Sequence, residues 1–124
     1  MNGARGIAIL GSTGSIGRST LSVIALHPER FKVVVLGAYK SWQTIVEQAR
    51  QFQVDTVVLV DAEAAAQARA ALRDCGSSTR VLSGADALAE AVTADNVHVV
   101  MAAIVGAAGL ASTLAGVRAS KRVV

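Results

Sequence analysis

Three glycines spaced three apart, in Gly11-Ser12-Thr13-Gly14-Ser15-Ile16-Gly17, constrain this chain more than any other stretch. They stand between the apolar run Gly6-Ile7-Ala8-Ile9-Leu10 and a helical pattern through Thr20, Leu21, Val23, Ile24, Ala25 and Leu26. At a junction between a buried strand and a helix, the first backbone N–H groups point outward and the helix dipole favours negative charge, so such a turn can hold a phosphate. On that reading Gly11 allows the tight turn, Gly14 lets a pyrophosphate approach the backbone, and Gly17 lets the helix pack closely on the sheet. The spacing is G-x-x-G-x-x-G, not G-x-G-x-x-G. A structural βα turn or a site for another phosphate ligand therefore stays open beside a dinucleotide site, which the order strand, glycines, helix favours.

The rest of the chain repeats the same unit. The first strand is predicted over about Gly6 to Leu10 and the first helix over about Ser15 to Leu26, closed by His27-Pro28 because the residue before a proline is pushed out of the α region. His27 is expected to interact with the dipole or carbonyls at that helix end. A second strand, Phe31 to Ala38, is apolar on both faces, as a strand inside a parallel sheet should be. Ser41 is expected to cap a helix from Trp42 to about Phe52. Val54 to Val60 reads as a third strand, and Asp61 as the cap of an alanine-rich helix ending near Cys75-Gly76. A short strand at Arg80-Val81-Leu82 and a helix from about Asp86 to Val92 precede the fourth main strand, Val97 to Ala103, which contains His98. His98 is expected to be a hydrogen-bonded residue at the sheet edge. Ile104 to Gly109 then forms a small-residue turn expected beside the glycine loop, followed by a helix from about Leu110 to Ala119. Lys121-Arg122-Val123-Val124 looks like a fifth main strand that stops after it has begun. The fold class is therefore α/β, a Rossmann-like doubly wound parallel sheet with helices on both faces, truncated in that fifth strand. A complete domain rarely ends inside a buried strand, so residues 1–124 are expected to be the amino-terminal part of something longer.

The end of the second strand is the other informative place. In a dinucleotide-binding unit an acidic residue about 20 positions beyond the glycines selects a free ribose 2′-hydroxyl. No Asp or Glu stands there; Lys40 does. A cation attracts a 2′-phosphate, which argues for NADP over NAD, while a solvated surface lysine is the competing reading. Tyr39 and Trp42 either lie against an adenine or are half-buried aromatics closing the sheet edge.

Composition narrows the partners. The chain is 52% hydrophobic and 17% charged, a globular balance, and with aromatics at 3% its core must be built from Ala, Val, Leu and Ile. The net charge of +3 is scattered, with no basic stripe or aromatic platform, so nucleic acid is not an expected partner. The single cysteine, Cys75, excludes an intramolecular disulfide, offers no metal-ligand spacing and reads as an inert thiol, which suits the cytoplasm. The longest apolar stretch, Val97 to Leu110, is broken by His98, Gly106 and Gly109 and falls short of the ~20 residues of a membrane span, so no membrane association is expected.

At Ala8-Ile9-Leu10-Gly11-Ser12-Thr13-Gly14-Ser15-Ile16-Gly17, and again at Val100-Met101-Ala102-Ala103-Ile104-Val105-Gly106-Ala107-Ala108-Gly109-Leu110, the sequence resembles the 1-deoxy-D-xylulose 5-phosphate reductoisomerase family. Ser19-Thr20-Leu21, His27-Pro28-Glu29, Val81-Leu82-Ser83-Gly84 and Lys121 extend the resemblance over nearly the whole chain. It implies an NADPH-dependent oxidoreductase and isomerase that rearranges a sugar phosphate and reduces it to 2-C-methyl-D-erythritol 4-phosphate, in non-mevalonate isoprenoid synthesis. It implies that Thr13, Gly14, Ser15 and Ile16 contact NADPH and that Lys40 stands near the 2′-phosphate. Tyr39 and Ser41 depart from the family's usual glycine and asparagine beside that lysine; Ser41 is left to replace one hydrogen bond at most. The resemblance also implies a divalent metal, Mg or Mn, whose ligands lie beyond Val124 together with the catalytic residues, and a homodimer for the full-length protein. The chain alone is expected to bind NADPH weakly at best and not to turn over. A non-catalytic NAD(P)-sensing module, or the nucleotide domain of another sugar or semialdehyde dehydrogenase, is the alternative.

Overall fold

The uninterrupted apolar runs become the central strands of one parallel sheet. The computed structural model describes residues 4–103, 119 and 121–124. Among them β1 (Arg5–Leu10), β2 (Phe31–Ala38), β3 (Thr56–Leu59), β4 (Arg80–Ser83), β5 (Val99–Ala102) and β6 (Arg122–Val123) alternate with α1 (Ser15–Ala25), α2 (Trp42–Phe52), α3 (Ala62–Asp74) and α4 (Ala85–Ala91). The sheet order is β4-β3-β2-β1-β5-β6 and every pairing is parallel. Ile7 to Leu10, Val33 to Ala38 and all of β3 are buried, whereas the edge strand β4 is partly exposed.

Winding direction decides which face each helix covers. From β1 to β4 the chain steps one way across the sheet, and after β4 it returns through α4 to the far side of β1. Because parallel crossovers are right-handed, the reversal must move the helix to the opposite face. Two cores result. Leu21 and Ile24 of α1, Ile45 and Ala49 of α2, and Ala68 and Leu72 of α3 pack with Ile7, Ile9, Leu36 and Val57. Leu88 of α4 packs with Ala8, Leu10, Val58 and Val100 on the other side. The doubly wound architecture expected from the sequence is thus present, and its point of reversal lies beside β1, where ligands sit in sheets of this kind.

Ile7 pairs with Val33 but Ala8 with Val35, so Val34 is an extra residue in β2. Val34 and Val35 both join the α4-side core, while Leu36 and Ala38 face the other helices. Gly37 then faces α4, where a Cβ would stand 2.6 Å from Cδ1 of Leu88.

Element ends differ from the sequence expectations wherever backbone hydrogen bonds compete with the ladder. Gln53 closes α2 in the left-handed region (φ 52°) and the Val54 N–H donates to the Ala49 carbonyl (3.1 Å), so β3 starts at Thr56, not Val54. The Val97 N–H donates to the Ala94 carbonyl (3.0 Å), and β5 starts at Val99. His98 therefore precedes the strand, and it lies beside the internal strand β1, not at a sheet edge. Its N–H donates to the Gly6 carbonyl (2.8 Å) and its Nδ1 accepts from the Gly6 N–H (2.9 Å). The His27 side chain stands 4.0 Å from the Glu29 carboxylate. Cys75 is the exposed C-cap of α3, and its thiol donates to the Leu72 carbonyl (3.2 Å). The expected turn at Ile104 to Gly109 and the helix expected after it lie outside the described residues, apart from Ala119. The run Lys121 to Val124 supplies β6, parallel to β5.

Candidate cofactor site

The glycine turn leaves β1 at its carboxyl end and doubles back at once. Gly11 sits at φ 89°, the left-handed region where a side chain is disfavoured, so the expected need for glycine there is met. The N–H groups of Gly11 and Ser12 both donate to the Gly37 carbonyl, at 2.7 and 3.1 Å, and the Gly14 N–H donates to the Gly11 carbonyl at 3.2 Å. Gly14 is the N-cap of α1 and carries no side chain to occupy the helix end. Among the described residues the N–H groups of Thr13, Ser15, Ile16 and Gly17 have no hydrogen-bond acceptor, the usual state of a helix's first turn. Thr13 is partly exposed and Gly14, Ser15 and Ile16 are exposed. Ile16, 62% exposed, is a large apolar side chain on the lip of a polar turn.

Gly17 is buried, but the expected reason for it needs correction. A Cβ there would overlap the Gly11 carbonyl and stand 2.6 Å from the Ser12 Cα. The atoms its missing side chain first makes room for are those of the turn itself.

Lys40 and Ser41 follow β2 at the neighbouring carboxyl end. The Trp42 N–H donates to the Lys40 carbonyl (2.8 Å) across Ser41, whose φ of −78° and ψ of 66° make an inverse γ-turn. Ser41 occupies the N-cap position of α2, as expected, yet its side chain makes no capping hydrogen bond. Lys40 and Ser41 are both exposed. Trp42 is partly buried against the core, as one expectation had it, whereas Tyr39 is 60% exposed and closes nothing.

Two contacts tie the halves together. One is the Gly37 carbonyl, three residues before Lys40, which holds the start of the glycine turn. The other is Gln48 of α2, whose Nε2 donates to the Ser12 carbonyl at 2.9 Å in a buried position. Sequence reasoning missed Gln48. The available signal was its place three residues after Ile45 and four before Phe52, on the apolar side of α2.

Charge supports the same location. The first turns of α1 and α2 contain no acidic residue, whereas α3 carries Glu63 and α4 carries Asp86 there. Asp and Glu stabilise a helix N-terminus, so their absence from α1 and α2 leaves those two ends free to receive an anion. A cavity of about 570 Å³, lined by Arg50, Asp55, Ser77 and Arg80, opens at the amino ends of β3 and β4, the opposite end of the sheet, and includes none of the expected residues.

The 1-deoxy-D-xylulose 5-phosphate reductoisomerase family model matches residues 7–124. A reductoisomerase of that name from Paraburkholderia xenovorans (strain LB400) is 49% identical over 117 residues, covering 94% of this chain and 29% of the relative. A crystal structure of DOX-P reductoisomerase with magnesium superposes with a TM-score of 0.93 at 39% identity, covering 98% of this chain and 30% of the other. A second, in complex with NADPH, fosmidomycin and magnesium, gives 0.91 at 39% identity over 96% of this chain and 29% of the other. The chain thus spans under a third of the length of the relatives it matches. A match that runs from the first strand through the last, at this identity and with this superposition, leaves one assignment: the chain belongs to the 1-deoxy-D-xylulose 5-phosphate reductoisomerase family.

Proposed function

We propose that residues 1–124 form the amino-terminal NADPH-binding domain of a cytoplasmic reductoisomerase that converts 1-deoxy-D-xylulose 5-phosphate to 2-C-methyl-D-erythritol 4-phosphate in non-mevalonate isoprenoid synthesis. The observation that carries this reading is the shared anchorage of the two site halves. Turn amides without an acceptor among the described residues and a lysine stand at adjacent strand ends, and the Gly37 carbonyl before the lysine holds the start of the turn. The residues present fit the cofactor, because, among the described residues, amides without an acceptor, an open Gly14 and acid-free starts of α1 and α2 all suit a chain of phosphates. Bound NADPH supplies the hydride for the reduction. Thr13, Gly14, Ser15 and Ile16 make the contacts at the pyrophosphate end, through backbone amides, the hydroxyls of Thr13 and Ser15, and the apolar surface of Ile16. Lys40 meets the 2′-phosphate, and the Ser41 hydroxyl, left free by the γ-turn, adds one hydrogen bond there.

Among the described residues no three His, Cys, Asp or Glu side chains gather where they could hold a metal ion, and no helix is long and apolar enough to cross a membrane. The divalent metal, Mg or Mn, the sugar-phosphate site and the homodimer contacts belong, in this proposal, to the part of the family's polypeptide that this chain does not span. The chain by itself binds cofactor weakly and does not turn over.

Titration with NADPH and with NADH at one salt concentration, followed by nicotinamide fluorescence, tests the reading. A charge-assisted contact to a phosphate is worth about 1.5 kcal/mol when partly screened, so Lys40→Ala should weaken NADPH about tenfold and leave NADH unchanged. Equal binding of the two cofactors by the unmodified chain overturns the role of Lys40. Binding of neither by a folded sample overturns the claim that this chain holds the site by itself.

A further inference from the structure

We propose that Gln48 is a positioning residue for the phosphate turn, acting through the Ser12 carbonyl to keep the Thr13 amide pointed at the ligand. The proposal rests on the cofactor reading above and adds a residue to it.

A glutamine is an expensive choice at this place. Gln48 is 9% exposed, on the buried side of α2 with Ile45, Val46 and Ala49. Burying a primary amide costs free energy that only hydrogen bonds offset. Gln48 makes one, from Nε2 to the Ser12 carbonyl, and its Oε1 has no partner among the described residues. An apolar side chain would fill the same space without that cost, so packing alone does not account for the residue. The amide cannot be reversed either, because Oε1 would then face the Ser12 carbonyl oxygen.

The consequence follows from peptide geometry. The Ser12 carbonyl and the Thr13 N–H belong to one planar trans peptide and point in opposite directions. Drawing the carbonyl inward to Gln48 therefore turns the Thr13 N–H outward, where it has no acceptor among the described residues. If this peptide flipped, a carbonyl lone pair would replace an N–H donor at the anion site. The preceding peptide is held separately, by the Ser12 N–H on the Gly37 carbonyl. Gln48 thus supplies the second of two constraints, and it comes from the helix that begins beside Lys40.

The test compares Gln48→Leu, close in size but without a donor, with the unmodified chain. Loss of the bond leaves the Ser12 carbonyl with no donor among the described residues, and NADPH and NADH should both weaken about tenfold, with their ratio preserved. That pattern differs from Lys40→Ala, which should move NADPH alone. A folded Gln48→Leu variant that binds both cofactors like the unmodified chain overturns the proposal while the cofactor reading survives. The ligand-free protein gives an independent readout. The Thr13 amide should exchange quickly with solvent in the unmodified chain and become broadened or protected in Gln48→Leu; an unchanged Thr13 amide overturns the proposal even if no cofactor binds. Should Gln48→Leu fail to fold, Gln48→Glu replaces it. Its protonated carboxyl donates to the Ser12 carbonyl and its carboxylate cannot, so its affinity for NADP⁺ relative to the unmodified chain should fall as pH rises. A ratio flat with pH overturns the proposal.

Discussion

Gly17→Ala sets two effects of opposite sign against each other. In an open helix position the change would stabilise by about 1 kcal/mol, because alanine loses less backbone entropy than glycine. Here the new Cβ would lie 2.6 Å from the Ser12 Cα and 2.8 Å from the Ser12 carbonyl carbon, with the Gly11 carbonyl oxygen closer still. Carbon atoms rest about 3.5–4.0 Å apart, so the turn must retreat by roughly 1 Å. The obstructing atoms are backbone, pinned by the Gly37 carbonyl and by Gln48, and have no rotamer to yield. Overpacking of this kind costs about 1–3 kcal/mol, which exceeds the helix gain and leaves a net loss of about 1 kcal/mol. For a chain of this length that lowers the unfolding midpoint by roughly 4 °C. The effect on binding should be larger, since the displaced amides are the proposed phosphate donors, each worth about 1.5–3 kcal/mol. Thermal unfolding and NADPH titration of Gly17→Ala read both quantities. Gly14→Ala is the control: among the described residues a Cβ there meets only the Gly11 carbonyl oxygen, at 3.7 Å, so stability should hold while NADPH binding falls. A Gly17→Ala variant that is more stable than the unmodified chain and binds NADPH as well would falsify the reasoning.

The two residues that begin α2 and α3 should respond differently to the same substitution. Asp61 Oδ2 accepts from the Ala64 N–H at 2.9 Å, so Asp61→Ala should cost about 1 kcal/mol in chemical denaturation. Ser41 makes no such bond, and Ser41→Ala should stay within about 0.5 kcal/mol of the unmodified chain while weakening NADPH slightly. Leu88→Ala removes a fully buried side chain from the α4-side core and should cost about 2–5 kcal/mol. Because a Cβ on Gly37 would meet the end of Leu88, Gly37→Ala should be destabilising alone and much less so in the Leu88→Ala background, a coupling read from a double-mutant cycle.

Why some of this was legible in the sequence and some was not follows from where each constraint comes from. The buried strands and the four helices among the described residues read correctly because their patterns repeat over many residues: Val33 to Ala38 is apolar throughout, and α2 starts at Trp42 and ends at Phe52 as its period implies. Strand ends did not, since the bonds that draw Val54 and Val97 out of their ladders come from neighbouring turns. Ser41 is the clearest case. It has the residue type and position of a cap, and Asp61, with the same credentials, does cap its helix. The difference is made by contacts beyond the strands: the N–H groups of Val60 and Asp61 donate to the carbonyls of Ala38 and Tyr39, at 3.1 and 2.9 Å. These extend the pairing of β2 with β3 up to Tyr39, and only Lys40 and Ser41 separate it from α2, which the chain enters through a γ-turn and not an extended cap. The site divides along the same line. Glycines declare a turn because their chemistry is local, and Lys40 declares a cation because charge is. Gln48 acts across 36 positions of sequence, and its spacing from Ile45 and Phe52 can say that it is buried but not what it is buried against. A polar residue on the apolar side of a helix is thus the sequence trace of a contact whose partner only the fold identifies; here that partner is the turn on which the cofactor reading depends.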